Sequence, residues 1–148
     1  MSNTTENQTE NFLHVSYDLS KIFIWSNRFS KLTFKNNTGG IASFAPGLVV
    51  AIDSSDGTLV PFDDDTAANG DDQPVGILAS TITDLAIAGT VTDIDYCDQG
   101  DVAEEKVTFQ DGDTLATVVT GGQTVRQVLK NAGIRLVPRK ELSGADNS

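Results

Sequence analysis

The sequence contains one cysteine, one histidine and no long hydrophobic run. Cys97 has no partner for an intrachain disulfide, and the flanking Asp95 and Asp98 favour a raised thiol pKa, so we expect a buried thiol rather than a nucleophile. His14 has no acid, base or metal ligand near it in sequence, which favours a surface or interface histidine. No apolar run approaches the roughly 20 residues that cross a bilayer, and residues 1–10 do not resemble a secretory signal. The sequence predicts a soluble protein made in a reducing compartment.

Basic residues are scarce in the centre of the chain. The formal net charge is −11, and residues 36–134 contain sixteen acidic residues but only Lys106, Arg126 and Lys130 as bases. Such a segment would be repelled by phosphate backbones, so we expect no nucleic-acid partner. Residues 1–35 differ, with three acids and four bases, and are better suited to an acidic protein partner.

What the sequence does contain is a series of short apolar runs separated by turns. The run APGLVVAID, the turn residues Ser55–Gly57 and the run LVPF predict a β-hairpin. The run VGILA, residues 75–79, predicts a third strand. We expect further strands at 85–94 and at 102–109.

One helix is predicted near the C-terminal end. Thr124 and Gln127 have the spacing of a capping box, and an apolar stripe follows at Val125, Val128, Leu129 and Ala132. Gly133 is suited to the left-handed residue that ends a helix. A short strand, Ile134–Val137, is expected to follow before Pro138.

The N-terminal part is predicted to be an extended β arm. Residues 1–11 have the composition of a disordered segment. Residues 12–35 alternate apolar and polar side chains, as two or three strands would, and Asn36–Gly40 reads as a Gly-rich hinge. Residues 12–40 thus form the predicted arm and hinge, 41–138 the body, and 139–148 a flexible tail. Trp25 is interpreted either as core or as an interface anchor.

The acidic loop Asp63–Asp72 is a weak candidate for a cation site. An EF-hand register starting at Asp65 places Ala67 and Gly76 where ligands are required, so a solvated loop is favoured. Asp93 and Asp95 are interpreted as turn acids rather than a glycosidase pair. The sequence therefore predicts no catalytic, cofactor-binding or metal-binding residue and no small-molecule substrate.

The body resembles a known family. The pair APGLVVAID and GTLVPF, the VGILA strand, the loop DYCDQGDVAEEKVTF, and GDT leading into VRQVLKNAGIRLV resemble the head decoration (capsid cement) proteins of lambda-type tailed bacteriophages, over roughly residues 41–138. The resemblance implies a compact β-clip-like domain and a non-enzymatic virion protein. It also implies a homotrimer on the outer surface of the expanded head that cements neighbouring major capsid subunits after synthesis in the host cytoplasm.

Two other classes are kept as alternatives. A β-rich adhesion or carbohydrate-binding module on a virion or cell surface would require an exposed aromatic platform, for which the body offers only Phe44, Phe62, Tyr96 and Phe109. An enzyme would require a nucleophile, a base and an orienting group, and no such set can be assembled from the sequence.

The predicted interface lies on the arm, which we expect to dock on the capsid protein or on another copy of this chain. Basic residues would steer the arm and make docking salt-sensitive, and a chain starting near Thr38 would keep a folded body. The predicted interface residues are Leu13, Val15, Tyr17, Leu19, Ile22, Ile24, Trp25, Lys21, Arg28, Lys31 and Lys35.

Overall fold

A computed structural model describes residues 21–64, 70 and 73–138. Within these ranges the chain forms eight β-strands and one complete α-helix, and Lys21 and Ile22 are also helical. The strands are β1 (Phe23–Lys35), β2 (Ala42–Phe44), β3 (Val49–Asp53), β4 (Thr58–Pro61), β5 (Pro74–Leu78), β6 (Ile82–Leu85), β7 (Thr90–Ala103) and β8 (Ile134–Val137), and the helix α1 (Val125–Ala132) precedes β8. The prediction of a mainly β protein with one short helix near the C-terminal end is confirmed.

Five of the strands close into a ring. Hydrogen-bonded neighbours follow the order β1-β4-β3-β5-β7, and β1 also pairs with β7 in antiparallel register. β8 extends the sheet from β7 in parallel orientation, and β2 pairs with β6 in a separate two-stranded ribbon. Ring closure pairs most of the strand edges that an open sheet would leave exposed.

The central strands are buried on both faces. Val49 and Ile77 pack into one cluster with helix α1, whereas the adjacent Val50 and Leu78 pack into a second cluster with Phe44 of the ribbon. Successive side chains of a strand point to opposite faces, so the two clusters lie on opposite sides of the sheet. Burial on both faces explains why these strands have continuous apolar runs rather than alternating sequences.

The predicted hairpin and helix are confirmed. β3 pairs with β4 from Val50↔Pro61 to Asp53↔Thr58 across the expected turn. At helix α1, the Thr124 side chain accepts a hydrogen bond from the backbone N–H of Gln127, and the Gln127 side chain accepts one from the backbone N–H of Thr124. Gly133 ends the helix with a φ of 103°, a left-handed conformation that favours glycine.

Two of the predicted strands are wrong. A single strand was expected at 85–94, but β6 ends at Leu85 and β7 begins at Thr90, with Ala88 in a left-handed conformation between them. The strand expected at 102–109 is the end of β7 followed by a 3-10 turn, Glu104–Lys106. The apolar pattern continues through both turns, so it could not reveal where the backbone changes direction.

The predicted boundary between arm and body also requires correction. The extended structure expected before the body is present as β1, but β1 pairs with β7 from Phe23↔Val102 to Lys35↔Thr90, and the Phe34 side chain is wholly buried. Residues 23–35 therefore belong to the same folded unit as the body.

The predicted hinge is a fixed turn. Asn36 is buried, and its side-chain amide donates hydrogen bonds to the carbonyl oxygens of Gly40 (2.9 Å) and Leu85 (2.9 Å). Its side-chain oxygen accepts hydrogen bonds from the backbone N–H and the hydroxyl of Thr38. The composition of Asn36–Gly40 suggested flexibility because the contact that ties this turn to the rest of the domain, from Asn36 to Leu85, joins positions 49 apart and leaves no local signal in the sequence.

Candidate interaction surface on the first strand

The predicted interface residues fall into two groups. Leu13, Val15, Tyr17 and Leu19 lie outside the described residues. The others lie on β1 or immediately before it, where Ile22 and Ile24 are partly buried and Lys21 is exposed. The structure therefore describes the predicted interface only from Lys21 to Lys35.

Trp25 is the large apolar side chain that this segment exposes most. Its relative exposure is 70%, and it lies opposite Asp101 of β7. Register shifts flank Trp25 on both sides, and Ser26 has a φ of 53°. Such a bulge changes the direction of a side chain relative to the regular alternation of a strand. Of the two interpretations of Trp25, core or surface anchor, the structure places the side chain on the surface.

The backbone next to Trp25 is held in place from within. The side-chain amide of Asn27 donates a hydrogen bond to the Asp101 carbonyl oxygen at 3.1 Å and contacts Cys97 Sγ at 3.5 Å. Gly100 packs so closely against this turn that an added Cβ would lie 2.7 Å from the Asn27 Cα. Trp25 is thus an exposed aromatic side chain on a well-supported strand, a combination that lowers the entropic cost of binding a partner.

The basic side chains of β1 are paired within the chain. The Arg28 guanidinium contacts both carboxylate oxygens of Asp98 at 2.9 and 3.3 Å, and Lys31 Nζ lies 2.8 Å from Asp95. Asp98 and Asp95 raise the pKa values of Arg28 and Lys31, respectively, through these hydrogen bonds. Because β7 supplies the carboxylates, these two cations add little positive potential, and the expectation of salt-sensitive docking loses much of its basis.

Lys35 forms ion pairs with two carboxylates of the β3–β4 hairpin. Its ammonium group lies 2.7 Å from the buried carboxylate of Asp53 and 2.8 Å from Asp56. The hydrogen bond from Lys35 is the main cause that lowers the pKa of both carboxyls, that of Asp56 to about 2. Lys35 thus joins β1 to the β3–β4 hairpin, while its predicted place at an intermolecular interface stays a prediction.

The other aromatic side chains in the described part of the chain provide no broad exposed platform. Phe44, Phe62 and Tyr96 are buried, and the Phe109 ring packs edge-on against Phe62. Phe29 is 47% exposed and packs edge-on against the buried Phe23. Among the body aromatics proposed for a carbohydrate platform, three are thus committed to the core.

A cluster of four carboxylates lies elsewhere on the molecule. Asp63, Asp64, Asp111 and Asp113 each place a carboxylate oxygen within 4.8 Å of the others. Burial and then Asp64 raise the pKa of Asp113 to about 6, and Asp113 Oδ2 is buried without a hydrogen-bond partner among the described residues. A neighbouring cavity of about 270 Å³ is lined by Asp63 and Asp111 together with the turn Asn37–Gly39.

Sequence reasoning did not find this cluster. It considered only the loop 63–72, of which residues 65–69 and 71–72 lie outside the described residues. Asp111 and Asp113 come from a turn almost fifty positions later in the chain, so only the tertiary fold brings them to Asp63 and Asp64. Oxygen ligands suit hard cations, but carboxylates this close also explain the raised pKa without a ligand.

Cys97 is buried, as predicted. Burial is the main cause that raises its pKa, and its Sγ–H donates a hydrogen bond to the Gln99 carbonyl oxygen at 3.1 Å. A raised pKa reduces the thiolate fraction on which nucleophilic reactivity depends.

Comparison of the chain with protein-family models and with curated proteins finds no match. Among the described residues, no helix has the length and apolar character needed to cross a membrane.

Proposed function

We propose that this protein is a structural virion protein of the capsid decoration class. In this proposal it binds the outside of an expanded icosahedral phage head as a homotrimer and cements neighbouring major capsid subunits. The sequence resemblance over residues 41–138 supports the class, and a small, mainly β domain with one C-terminal helix is compatible with it. The finer β-clip assignment belongs to the same proposal.

The observation that carries the proposal is the exposure of Trp25 on a supported strand. Tryptophan is enriched among the residues that dominate binding energy at protein interfaces. A tryptophan side chain that is 70% exposed suits contact with a protein partner, because tryptophan is enriched at interfaces. The predicted docking residues before Lys21 would add to this anchor.

Symmetry would strengthen the binding of a modest single site. Three copies that engage equivalent positions around a threefold axis bind with an avidity that can exceed the single-site affinity by about 10²–10⁴. The acidic body disfavours contact with the packaged nucleic acid, which agrees with a location on the outer surface.

The test is co-sedimentation of the intact chain with expanded heads assembled from the major capsid protein of the same phage. We expect Trp25→Ala to weaken binding by roughly tenfold or more, as loss of a hot-spot residue does. Ile87→Ala is the matched control because Ile87 is also an exposed apolar residue, 59% accessible, but lies in the turn between β6 and β7.

Three outcomes would contradict the proposal. Equal binding by the Trp25 and Ile87 variants would remove β1 as the docking surface. Copies located away from the threefold axes in a particle reconstruction would exclude the trimer. A chain that ignores expanded heads but binds a glycan array would instead support the adhesion or carbohydrate-binding alternative.

A further inference from the structure

The chain contains two Asp-Gly dipeptides, Asp56–Gly57 and Asp111–Gly112. In such a pair the backbone nitrogen of the glycine can attack the aspartate side chain, because glycine has no Cβ to obstruct the approach. Both pairs are exposed, and both glycines have a left-handed φ, 75° at Gly57 and 66° at Gly112. The two pairs differ in how the fold holds the reacting atoms.

At Asp56–Gly57, hydrogen bonds hold both reacting groups. The Gly57 N–H donates to the Asp53 carbonyl oxygen at 2.7 Å. One Asp56 carboxylate oxygen accepts hydrogen bonds from the backbone N–H (3.1 Å) and the hydroxyl (2.7 Å) of Thr58, and the other lies 2.8 Å from Lys35 Nζ. The hydrogen bond from Lys35 is the main cause that lowers the pKa of Asp56 to about 2, so the neutral carboxyl that a nucleophile attacks is scarce.

At Asp111–Gly112, the reacting groups are not held in this way. Within the described part of the chain, no hydrogen bond or ion pair engages the Asp111 carboxylate or the Gly112 N–H. Apart from its chain neighbours, a Cβ added to Gly112 would meet no atom within 4 Å, so the backbone has space to move. The other members of the cluster around Asp111 are the carboxylates of Asp63, Asp64 and Asp113, which cannot form an ion pair with it.

We propose that Asp111 is a site of spontaneous isoaspartate formation in the folded protein, whereas the fold protects Asp56. In the first step the Gly112 nitrogen forms a bond to Asp111 Cγ, the Cγ–OH bond breaks, and the hydroxyl leaves with the amide proton as water. Water then adds to the former main-chain carbonyl carbon of Asp111 in the succinimide ring, and the bond from this carbon to the Gly112 nitrogen breaks. The main chain now runs through Cγ, and no oxidant, reductant or cofactor is consumed.

The modification would change one wall of the cavity beside the carboxylate cluster. Isoaspartate adds a methylene group to the main chain at position 111 and moves the free carboxylate onto Cα. Asp111 lines the cavity together with Asp63 and belongs to the cluster, so ageing of the protein alters both. This inference goes beyond the proposed function because it requires no capsid or other partner.

Peptide mapping of the intact chain measures both sites. The folded protein is incubated at pH 5, and chymotrypsin then releases peptides 49–59 and 110–115 by cleavage after leucine and phenylalanine. Isoaspartate peptides keep the parent mass but elute separately, and electron-transfer fragmentation locates the modified residue. Lowering a carboxyl pKa from 3.8 to about 2 reduces its neutral fraction at pH 5 by roughly fiftyfold, so we expect Asp111 to react at least about tenfold faster than Asp56.

Two comparisons separate the effect of the fold from that of the dipeptide. In guanidinium chloride the two sites should react at similar rates, because the hydrogen bonds that protect Asp56 are absent. In the folded protein, Asp111→Glu should abolish the product, since glutamate would have to close a larger ring. Asp113→Glu, its matched control in the same peptide, should retain the product. Circular dichroism verifies that each variant is folded, and the comparison of the two sites in the parent chain needs neither variant.

Two results would overturn the inference. One is an equal rate of isoaspartate formation at Asp56 and Asp111 in the folded protein. The other is an Asp111 that stays unmodified in the folded protein while both sites react in guanidinium chloride. Neither measurement uses phage heads, so failure of this inference and failure of the decoration proposal are distinguishable.

Discussion

At the residue scale, the environment of the Asp113 carboxyl makes the stability of the fold depend on pH. Its carboxyl is pressed against Asp64, and one of its oxygens is buried without a hydrogen-bond partner among the described residues. Burial raises its pKa from 3.8 to about 6, so the folded state disfavours the ionised form. The resulting destabilisation is absent below about pH 4, grows as the pH rises toward 6, and is complete above that value.

We therefore expect Asp113→Asn to stabilise the protein at pH 7.5. The gain should be about 1 kcal/mol, or roughly 2–4 °C in Tm, less than the full pKa difference implies because the side chain is only partly buried. At pH 4 the variant and the parent should unfold at similar temperatures. Thermal unfolding followed by circular dichroism at the two pH values measures the difference.

Gln123→Asn is the control for this prediction, because Gln123 is exposed, carries no charge and lies outside the carboxylate cluster. It should leave the dependence of Tm on pH unchanged between pH 4 and 7.5. If Asp113→Asn destabilises the protein at both pH values, the Asp113 carboxyl makes a stabilising contact that outweighs the cost of its burial beside Asp64.

At the element scale, helix α1 shows how local signals and packing combine. The capping box begins the helix, and Gly133 ends it. Val125 and Leu129 are fully buried against the sheet, while Val128 is partly buried at the edge of the same cluster. The helix therefore covers one face of the central strands.

We expect Leu129→Ala to cost about 2–4 kcal/mol of unfolding free energy, since it leaves a cavity in the buried cluster. Thr124→Ala should cost about 1 kcal/mol because the capping hydrogen bond is lost. Chemical denaturation measures both values. Lys130→Ala, at an exposed position of the same helix, should change the free energy of unfolding little. An unchanged midpoint for Leu129→Ala would show that the helix does not pack against the sheet in solution.

At the scale of the whole molecule, β1 is the strand that makes the fold depend on the N-terminal part of the chain. It closes the ring through β7 and contributes Phe23 and Phe34, one to each buried cluster. Lys35 further ties it to Asp53 and Asp56 of the hairpin. The body defined from the sequence, residues 41–138, therefore lacks a strand of its own sheet.

This changes the expected result of truncation. A chain that starts at Thr38 should lose its cooperative unfolding transition, because the deletion removes β1 and both phenylalanines. A chain that starts at Lys21 retains β1 and should unfold cooperatively. Circular dichroism and limited proteolysis of the two chains provide the comparison. A folded, protease-resistant chain from Thr38 would show that the body is independent, as the sequence had suggested.

The amino-acid sequence by itself determined the elements whose causes are local. The β3–β4 hairpin follows from two apolar runs around a Ser-Asp-Gly turn, and helix α1 follows from a capping box, an apolar stripe and Gly133. Burial of Cys97 was also predictable from its residue type. For the hairpin and the helix, the residues that decide the structure lie within a few positions of one another.

Only the tertiary structure decided what depends on distant partners. The pairing of β1 with β7 joins positions up to about 79 residues apart. It places Arg28 beside Asp98 and Lys31 beside Asp95, so both cations form ion pairs within the chain. The same folding brought Asp111 and Asp113 to Asp63 and Asp64, and left Trp25 exposed while Phe34 became core. The alternating pattern of a strand specifies that one face is buried, but it does not specify which distant strand pairs with it.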